Sequence, residues 1–142
     1  MDSNGWPQSG RNRALKKIRK AFAFHYAGDQ HLGSFIQYGV DEWNDAGFAF
    51  CVPSVSNVWP RRWFPLVGGM NRQQDMPKYS GDFVDGFGNK ITVHAVSNPV
   101  FTGCAPARLY DRATGYGIVR FKKNTREITI DCWPRECDPA KQ

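Results

Sequence analysis

The chain has 142 residues, a formal net charge of +6, 41% hydrophobic residues and 14% aromatic residues. This length suits one compact domain with a hydrophobic core, spanning residues 1–142, and is too short for two. No stretch approaches the roughly 18 uninterrupted apolar residues of a transmembrane helix, so the sequence excludes a membrane span.

The positive charge is concentrated near the amino terminus, where six basic side chains lie within ten residues: Arg11, Arg13, Lys16, Lys17, Arg19 and Lys20. Beyond this segment the basic and acidic side chains nearly balance. A run of this kind is most often the solvated face of a helix and less often a polyanion-binding patch. The distribution of charge therefore argues against nucleic acid as a partner.

The first predicted elements are a helix and a strand. Apolar residues recur at helical spacing over residues 8–22, and Ser9 is a suitable N-cap. The next segment, AFAFHYA at residues 21–27, is aromatic and ends at Gly28, which predicts a buried strand that stops at a turn. A helix followed by a buried strand and a short polar loop is a common unit of layered α/β folds.

The rest of the chain is predicted to be mostly β. The turn sequences DGFGN and KKNTR each lie between two apolar segments and predict hairpins. Three prolines exclude a ladder between Pro53 and Pro65, and the tail at residues 134–142 is expected to fray. The predicted fold class is α+β, one amino-terminal helix and then a mostly antiparallel sheet, with strands at residues 35–38, 47–52, 82–84, 90–96, 117–121 and 127–133.

The cysteines do not predict a structural zinc site. Their positions, which contain no C-x2-C pair, are Cys51, Cys104, Cys132 and Cys137. A disulfide between Cys132 and Cys137 is possible if the protein is exported.

The tetrapeptide Gly28-Asp29-Gln30-His31 is the candidate site, at the carboxyl end of the predicted buried strand. A carboxylate and an imidazole two residues apart can bind one cation, and together they suit Zn, Fe or Mn. Gly28 would permit a tight backbone there. The same residues also fit a simpler interpretation, in which a strand-end aspartate caps a turn beside a partly exposed histidine.

The other histidines do not complete a metal centre. His25 lies within the predicted buried strand and is interpreted as a core residue or a residue that supports a ligand. His94 alternates with apolar residues in a β pattern and is interpreted as core or sheet surface. A two-metal hydrolytic centre needs several more ligands than His31 and Asp29. The sequence therefore predicts one corner of a metal site.

Three long segments carry a family resemblance. They are FHYAGDQHLGSFIQYGVDEWNDAGFAFCVPSVSNVWPRRWFP, DFVDGFGNKITVHAVSNP and GYGIVRFKKNTREITIDCWPR, with DSNGWPQSGRNRAL near the start. Together they resemble the carboxyl-terminal portion of PhoD-like metallophosphatases, the alkaline phosphatase D branch of the calcineurin-like phosphoesterases. In this family a G-D-x-H element follows a helix and a buried strand late in the domain.

The resemblance implies a metal-dependent phosphoester hydrolase. It makes His31 the best ligand candidate, with Asp29 a ligand or a residue that orients one, for divalent ions such as Zn, Fe, Mn or Ca. It implies a four-layer α/β/β/α sandwich of which this chain is a fragment, an exported or periplasmic location, and a phosphoester substrate. The family's earlier metal motifs are not found here, so a missing amino-terminal half is an expected partner.

A pair of arginines is the candidate substrate contact. Arg61 and Arg62 lie beside Trp59 and Trp63 in a proline-bounded loop, and guanidinium groups match phosphate bidentately. The simpler interpretation is a surface loop held by packed indole rings.

Two other functions fit the sequence. One is an aromatic-rich basic β module that binds a polyanion or a sugar by stacking. The other is a non-catalytic remnant of the enzyme. Salt-sensitive association with a polyanion would favour the binding module, and metal motifs encoded just upstream would favour the hydrolase.

Overall fold

The structure, a computed structural model, describes residues 7–56, 61–99, 113–135 and 137–141. Within these residues one α-helix precedes seven strands and a short 3-10 helix at Pro139–Lys141. The helix and strands are α1 (Gln8–Lys20), β1 (His25–Gln30), β2 (Ser34–Tyr38), β3 (Phe48–Pro53), β4 (Gly81–Val84), β5 (Lys90–Val96), β6 (Gly115–Lys122) and β7 (Glu127–Pro134).

The strands form a five-stranded sheet in the order β1-β3-β2-β5-β4 and a two-stranded sheet of β6 and β7. Strand β5 pairs antiparallel with both β2 and β4, and β6 pairs antiparallel with β7. The predicted α+β class with a mostly antiparallel sheet is confirmed.

The chain divides into two compact units. The first comprises Met1–Tyr26, Ser34–Phe50 and Trp63–Val96, and the second comprises Ala27–Gly33, Cys51–Arg62 and Ser97–Gln142. Strands β1 and β3 each contribute residues to both units. The candidate tetrapeptide and the arginine pair belong to the second unit.

The core of the first unit is small, and its buried apolar side chains are Leu15, Ala46, Ala49, Phe50 and Val93. Arg11 connects α1 to the sheet, because its Nη1 donates to the carbonyl oxygen of Gly39 at 2.8 Å and its Nη2 to that of Lys90 at 3.1 Å. The guanidinium also lies over the Tyr38 ring, 5.5 Å from the centroid. One member of the basic segment is therefore a structural link between helix and sheet.

The ends of α1 differ from the prediction. Pro7, and not Ser9, is the N-cap, with φ −72° and ψ 140° and no side-chain cap. Proline suits this position because its φ is already fixed near the required value. The helix ends at Lys20. Phe22, two residues later, has φ +50°, which an α-helix does not allow, and it is 97% exposed. Phe22 therefore does not extend the apolar face of the helix.

The prediction of a buried strand at residues 21–27 is wrong. Strand β1 begins at His25, continues through Gly28, and exposes every residue except the last, Gln30. It lies at the edge of the five-stranded sheet, and an edge strand has a neighbour on one side only. Of the aromatic side chains in the predicted segment, Tyr26 lies on β1 and Phe24 just before it, with ring centroids 5.3 Å apart.

A loop at residues 68–80 is anchored to β4 through Asp82. The backbone groups of Met70 and Asp82 exchange two hydrogen bonds of 2.9 and 2.8 Å. The buried Asp82 carboxylate accepts hydrogen bonds from Asn71 Nδ2, at 2.8 Å, and from Thr92 Oγ1. Gly81 has φ +101°, and a Cβ there would lie 2.7 Å from the Met70 carbonyl oxygen, so the close approach requires glycine.

Both predicted hairpins are confirmed. Asp85 Oδ1 accepts from the backbone N–H groups of Phe87 at 2.8 Å and Asn89 at 2.9 Å, which fixes the β4–β5 turn. In the second unit, the KKNTR segment joins β6 to β7, with Lys122 opposite Glu127.

The described positions 137–141 contact the hairpin of the second unit. Tyr116 Oη donates to the Cys137 carbonyl oxygen at 2.7 Å, and the Cys137 N–H donates to that of Pro134 at 3.0 Å. Fraying of the tail at residues 134–142 stays a prediction. Cys132 and Cys137 are free thiols, as is Cys51, and Cys104 lies outside the described residues.

Candidate functional site

The candidate tetrapeptide spans the end of β1 and the residue that follows it. Asp29 has φ +59° and an exposed side chain. Gly28 does not supply the tight backbone expected of it, since a Cβ at that position would meet no atom within 4 Å. Asp29 itself adopts the left-handed conformation, which aspartate tolerates better than most residues.

His31 follows β1 directly and is half-buried. Its Nδ1 atom is buried and has no hydrogen-bond partner in the part of the chain that the structure describes. Buried polar atoms nearly always have a partner, so this nitrogen requires a specific explanation. In the tautomer that carries its proton on Nε2, Nδ1 presents a lone pair to a ligand.

Gln30, between the two candidate ligands, joins the tetrapeptide to the arginine pair. Arg61 Nη1 donates to Gln30 Oε1 at 2.6 Å, and the Ser54 N–H donates to the Gln30 carbonyl oxygen at 2.7 Å. Arg61 is half-buried and Arg62 is exposed. The role of Gln30 could not be predicted from the sequence, because no local pattern indicates its contact with Arg61, 31 positions away. Trp59 lies outside the described residues.

Cys51 lies near the same group of residues. Burial raises the pKa of its thiol, and a backbone hydrogen bond with Gln30 and the charge of Arg61 oppose that shift. A raised pKa keeps the thiol protonated at neutral pH. Cys51 is therefore a neutral neighbour of Gln30 and not a ready thiolate ligand.

The described residues fit part of a metal site. His31 offers an unpartnered imidazole nitrogen and Asp29 an exposed carboxylate, and both are donor types that bind Zn, Fe and Mn. Within the described ranges, no three side chains of histidine, cysteine, aspartate or glutamate are grouped so that they could hold an ion. These residues would supply at most two ligands to a shared site.

The other two histidines lie in the first unit. His25 is exposed, so the core interpretation is wrong, and its Nδ1 lies 3.2 Å from Tyr38 Oη. His94 packs against Phe35 and Phe48, with ring centroids 5.4 and 5.8 Å apart. Burial lowers the pKa of His94, and the nearby charge of Asp82 opposes this. With Phe24 and Tyr26, the residues Phe35, Phe48 and His94 form what we call the aromatic face.

The lowered pKa of His94 predicts a pH-dependent stability. The unfolded chain binds a proton on this residue more readily than the folded chain, so the stabilisation is complete above the ordinary histidine pKa and decreases as the pH falls through it. Asp82 on β4 and Arg72 on the loop at residues 68–80 are the charged groups near this ring.

We therefore expect the free energy of unfolding in urea to be lower at pH 5.5 than at pH 7.5. The dependence should be weaker in His94→Phe, which retains the ring contacts. If the free energy of unfolding changes equally with pH in the wild type and in His94→Phe, the assignment to His94 is contradicted.

Arg11 of α1 and His94 of the aromatic face lie on opposite sides of the sheet. Arg11 of α1 lies over Tyr38, and Tyr38 and Gln37 point to opposite faces because they are adjacent on a strand. Gln37 faces Thr92 across the ladder, and His94, two residues later, shares that face. Four of the five exposed cations of α1 line one surface of the helix, at Arg13, Lys16, Lys17 and Lys20, and the fifth is Arg19. Lys16 is paired with Asp41 at 2.9 Å.

Comparison with protein-family models, with curated proteins and with solved structures yields no match for this chain. Across the described residues, no helix has the length and apolar composition that crossing a membrane requires. The resemblance to metallophosphatases therefore remains an expectation drawn from the sequence.

Proposed function

We propose that this chain carries the late metal-site motif of a metal-dependent phosphoester hydrolase of the PhoD-like kind. The observation that supports this most directly is the buried Nδ1 of His31, which has no hydrogen-bond partner among the described residues. The exposed side chain of Asp29 lies two residues earlier. A nitrogen in this state suits a ligand that is bound from outside the described residues. The four-layer sandwich implied by the resemblance is part of the same proposal.

Each residue has a distinct role in this proposal. His31 binds a divalent ion through Nδ1, and Asp29 binds it or orients a neighbouring ligand. Gln30 holds Arg61 beside the motif, where the guanidinium binds a phosphoryl oxygen of the substrate. Arg62, which is exposed, extends the positive rim. The ion supplies Lewis-acid chemistry to the phosphoryl group when it is bound.

Metal binding at this motif is testable with Mn²⁺, whose paramagnetism broadens nearby NMR signals. We expect Mn²⁺ to broaden the amide signals of residues 28–33 in the wild type. The broadening should disappear in His31→Ala and weaken in Asp29→Asn, which keeps a side chain that tolerates the positive φ of this position. His25→Ala is the matched control, since His25 is an exposed histidine on β1, the strand that His31 follows. Broadening that persists in His31→Ala would contradict the proposal.

Hydrolysis of p-nitrophenyl phosphate is measured in parallel, with this chain alone and with the product of any reading frame directly upstream. Activity that appears with the upstream product and is lost in His31→Ala supports the assignment of a shared site. Stoichiometric metal and activity in this chain alone would show that the chain does not need a second segment. Activity that is unchanged in His31→Ala would exclude His31 as a ligand.

A further inference from the structure

A second candidate site lies in the first unit, whereas the proposed metal motif belongs to the second. A partly open pocket of about 260 Å³ is formed where the loop at residues 68–80 meets β5. Its polar lining, which we call the anion pocket, includes Asn71, Arg72, Ser80, Thr92 and His94. This volume suits a small ligand or one group of a larger ligand.

His94 lines this pocket and carries an unpartnered atom. Its Nε2 is buried and has no hydrogen-bond partner among the described residues. The ring is held in place by Phe35 and Phe48, so the nitrogen cannot turn to water without breaking two aromatic contacts. Such an atom is usually satisfied by a ligand or an ordered water.

Arg72 supplies fixed positive charge to the same pocket. Its Nη1 donates to the carbonyl oxygens of Gln73 at 3.1 Å, Gln74 at 3.3 Å and Met76. These bonds hold the guanidinium in one orientation. Within the described residues, Nε and Nη2 of Arg72 make no hydrogen bond, and the side chain lines the pocket.

The nearest buried carboxylate does not compete for these donors. Asp82 is only 4% exposed, and its oxygens are bonded to Asn71 Nδ2 and Thr92 Oγ1. The side chains that line the pocket therefore offer a guanidinium and an imidazole nitrogen, with no carboxylate among them. A planar guanidinium beside a second nitrogen donor matches the geometry of an oxyanion.

We propose that the anion pocket binds a small oxyanion group through Arg72 and His94. The guanidinium donates from Nε and Nη2, and His94 donates from Nε2 in its neutral Nε2–H form or as imidazolium. This inference does not depend on the proposed hydrolase function, because the two sites share no residue and belong to different units.

Sulfate is the probe of choice, because its charge is constant between pH 5.5 and 8. We expect it to shift the NMR signals of residues 71–73 and of His94 in a saturable manner. His94→Phe keeps the aromatic contacts and removes the nitrogen, and Arg72→Gln removes the charge. Each should weaken sulfate binding at least about ten-fold, the loss expected for one hydrogen bond to a charged group.

Two control variants separate this site from general attraction to a basic protein. Arg13→Gln removes an exposed arginine of α1, and His25→Phe changes an exposed histidine in the same unit. Neither should alter the affinity. If Arg72→Gln loosens the loop, seen as changed hydrogen exchange at Met70, then His94→Phe alone decides the question.

Absence of saturable binding to the wild type, or equal affinity in His94→Phe and the wild type, would overturn the proposal. Where sulfate binds as expected, titration with acetate and with methyl phosphate identifies the preferred anionic group. Tighter binding of acetate indicates a carboxylate ligand, and tighter binding of methyl phosphate indicates a phosphate ester.

Discussion

Replacing Phe50 with alanine is expected to lower the free energy of unfolding by about 3–5 kcal/mol, the usual cost of deleting a buried phenylalanine ring. Phe50 is 2% exposed and is the most deeply buried large apolar residue of the described core. Its ring meets Tyr26 edge to face, with centroids 6.0 Å apart. Its strand, β3, lies between β1 and β2, so the surroundings have little freedom to collapse into the cavity.

Phe48→Ala is the matched control for this prediction. Phe48 lies two residues earlier on the same strand and is 41% exposed. Its removal should cost less than half as much, because solvent already reaches the ring. Urea unfolding followed by tryptophan fluorescence measures both, since Trp43 and Trp63 belong to the same unit as Phe50. Equal losses in the two variants would show that burial does not determine the contribution of Phe50.

Replacing Asp82 with alanine is the second large effect, with an expected loss of about 2–4 kcal/mol in the free energy of unfolding. Its carboxylate accepts hydrogen bonds from Asn71 and Thr92, and the buried Thr92 hydroxyl would lose its acceptor. The side chain thus joins the loop at residues 68–80 to β4 and β5. Without the carboxylate, the buried Thr92 hydroxyl has neither its acceptor nor the water that it contacts in the unfolded chain, and this costs free energy.

The loop provides a local measurement of the same change. In Asp82→Ala we expect faster hydrogen exchange of the Met70 amide, which donates to the Asp82 carbonyl oxygen at 2.9 Å. Asp75→Ala removes an exposed aspartate from the same loop and should change stability by less than about 0.5 kcal/mol. A similar loss in Asp75→Ala would show that net charge, and not the buried contacts, is responsible.

Only part of the candidate site could be predicted from the sequence. The tetrapeptide and the arginine pair were identified from residue types, and the structure joins them through Gln30 and Arg61. That contact depends on where two distant segments meet, so no local pattern could have predicted it. The assignment of His31 and Asp29 to a metal stays a prediction, as does the role of Arg61 and Arg62 in substrate binding.

The arrangement of the anion pocket could not be predicted from the sequence either. Arg72 lies in a segment whose composition predicts a polar surface loop, and Asp82 lies in the short strand predicted after it. Only the pairing of β4 with β5 places Asp82 opposite Thr92, two residues before His94. A buried carboxylate and a pocket nitrogen then result from the register of two strands.

The sequence by itself determined the local elements of this protein. Strand β5 spans the predicted residues 90–96, and both hairpins lie at the predicted turns, because alternation of side chains and turn residues acts over a few positions. Only the tertiary structure decided which strand lies at an edge. The order β1-β3-β2-β5-β4 places β1 at an edge, and the strand is exposed although the aromatic segment at residues 21–27 predicts a buried one. Burial depends on neighbours that are distant in the chain.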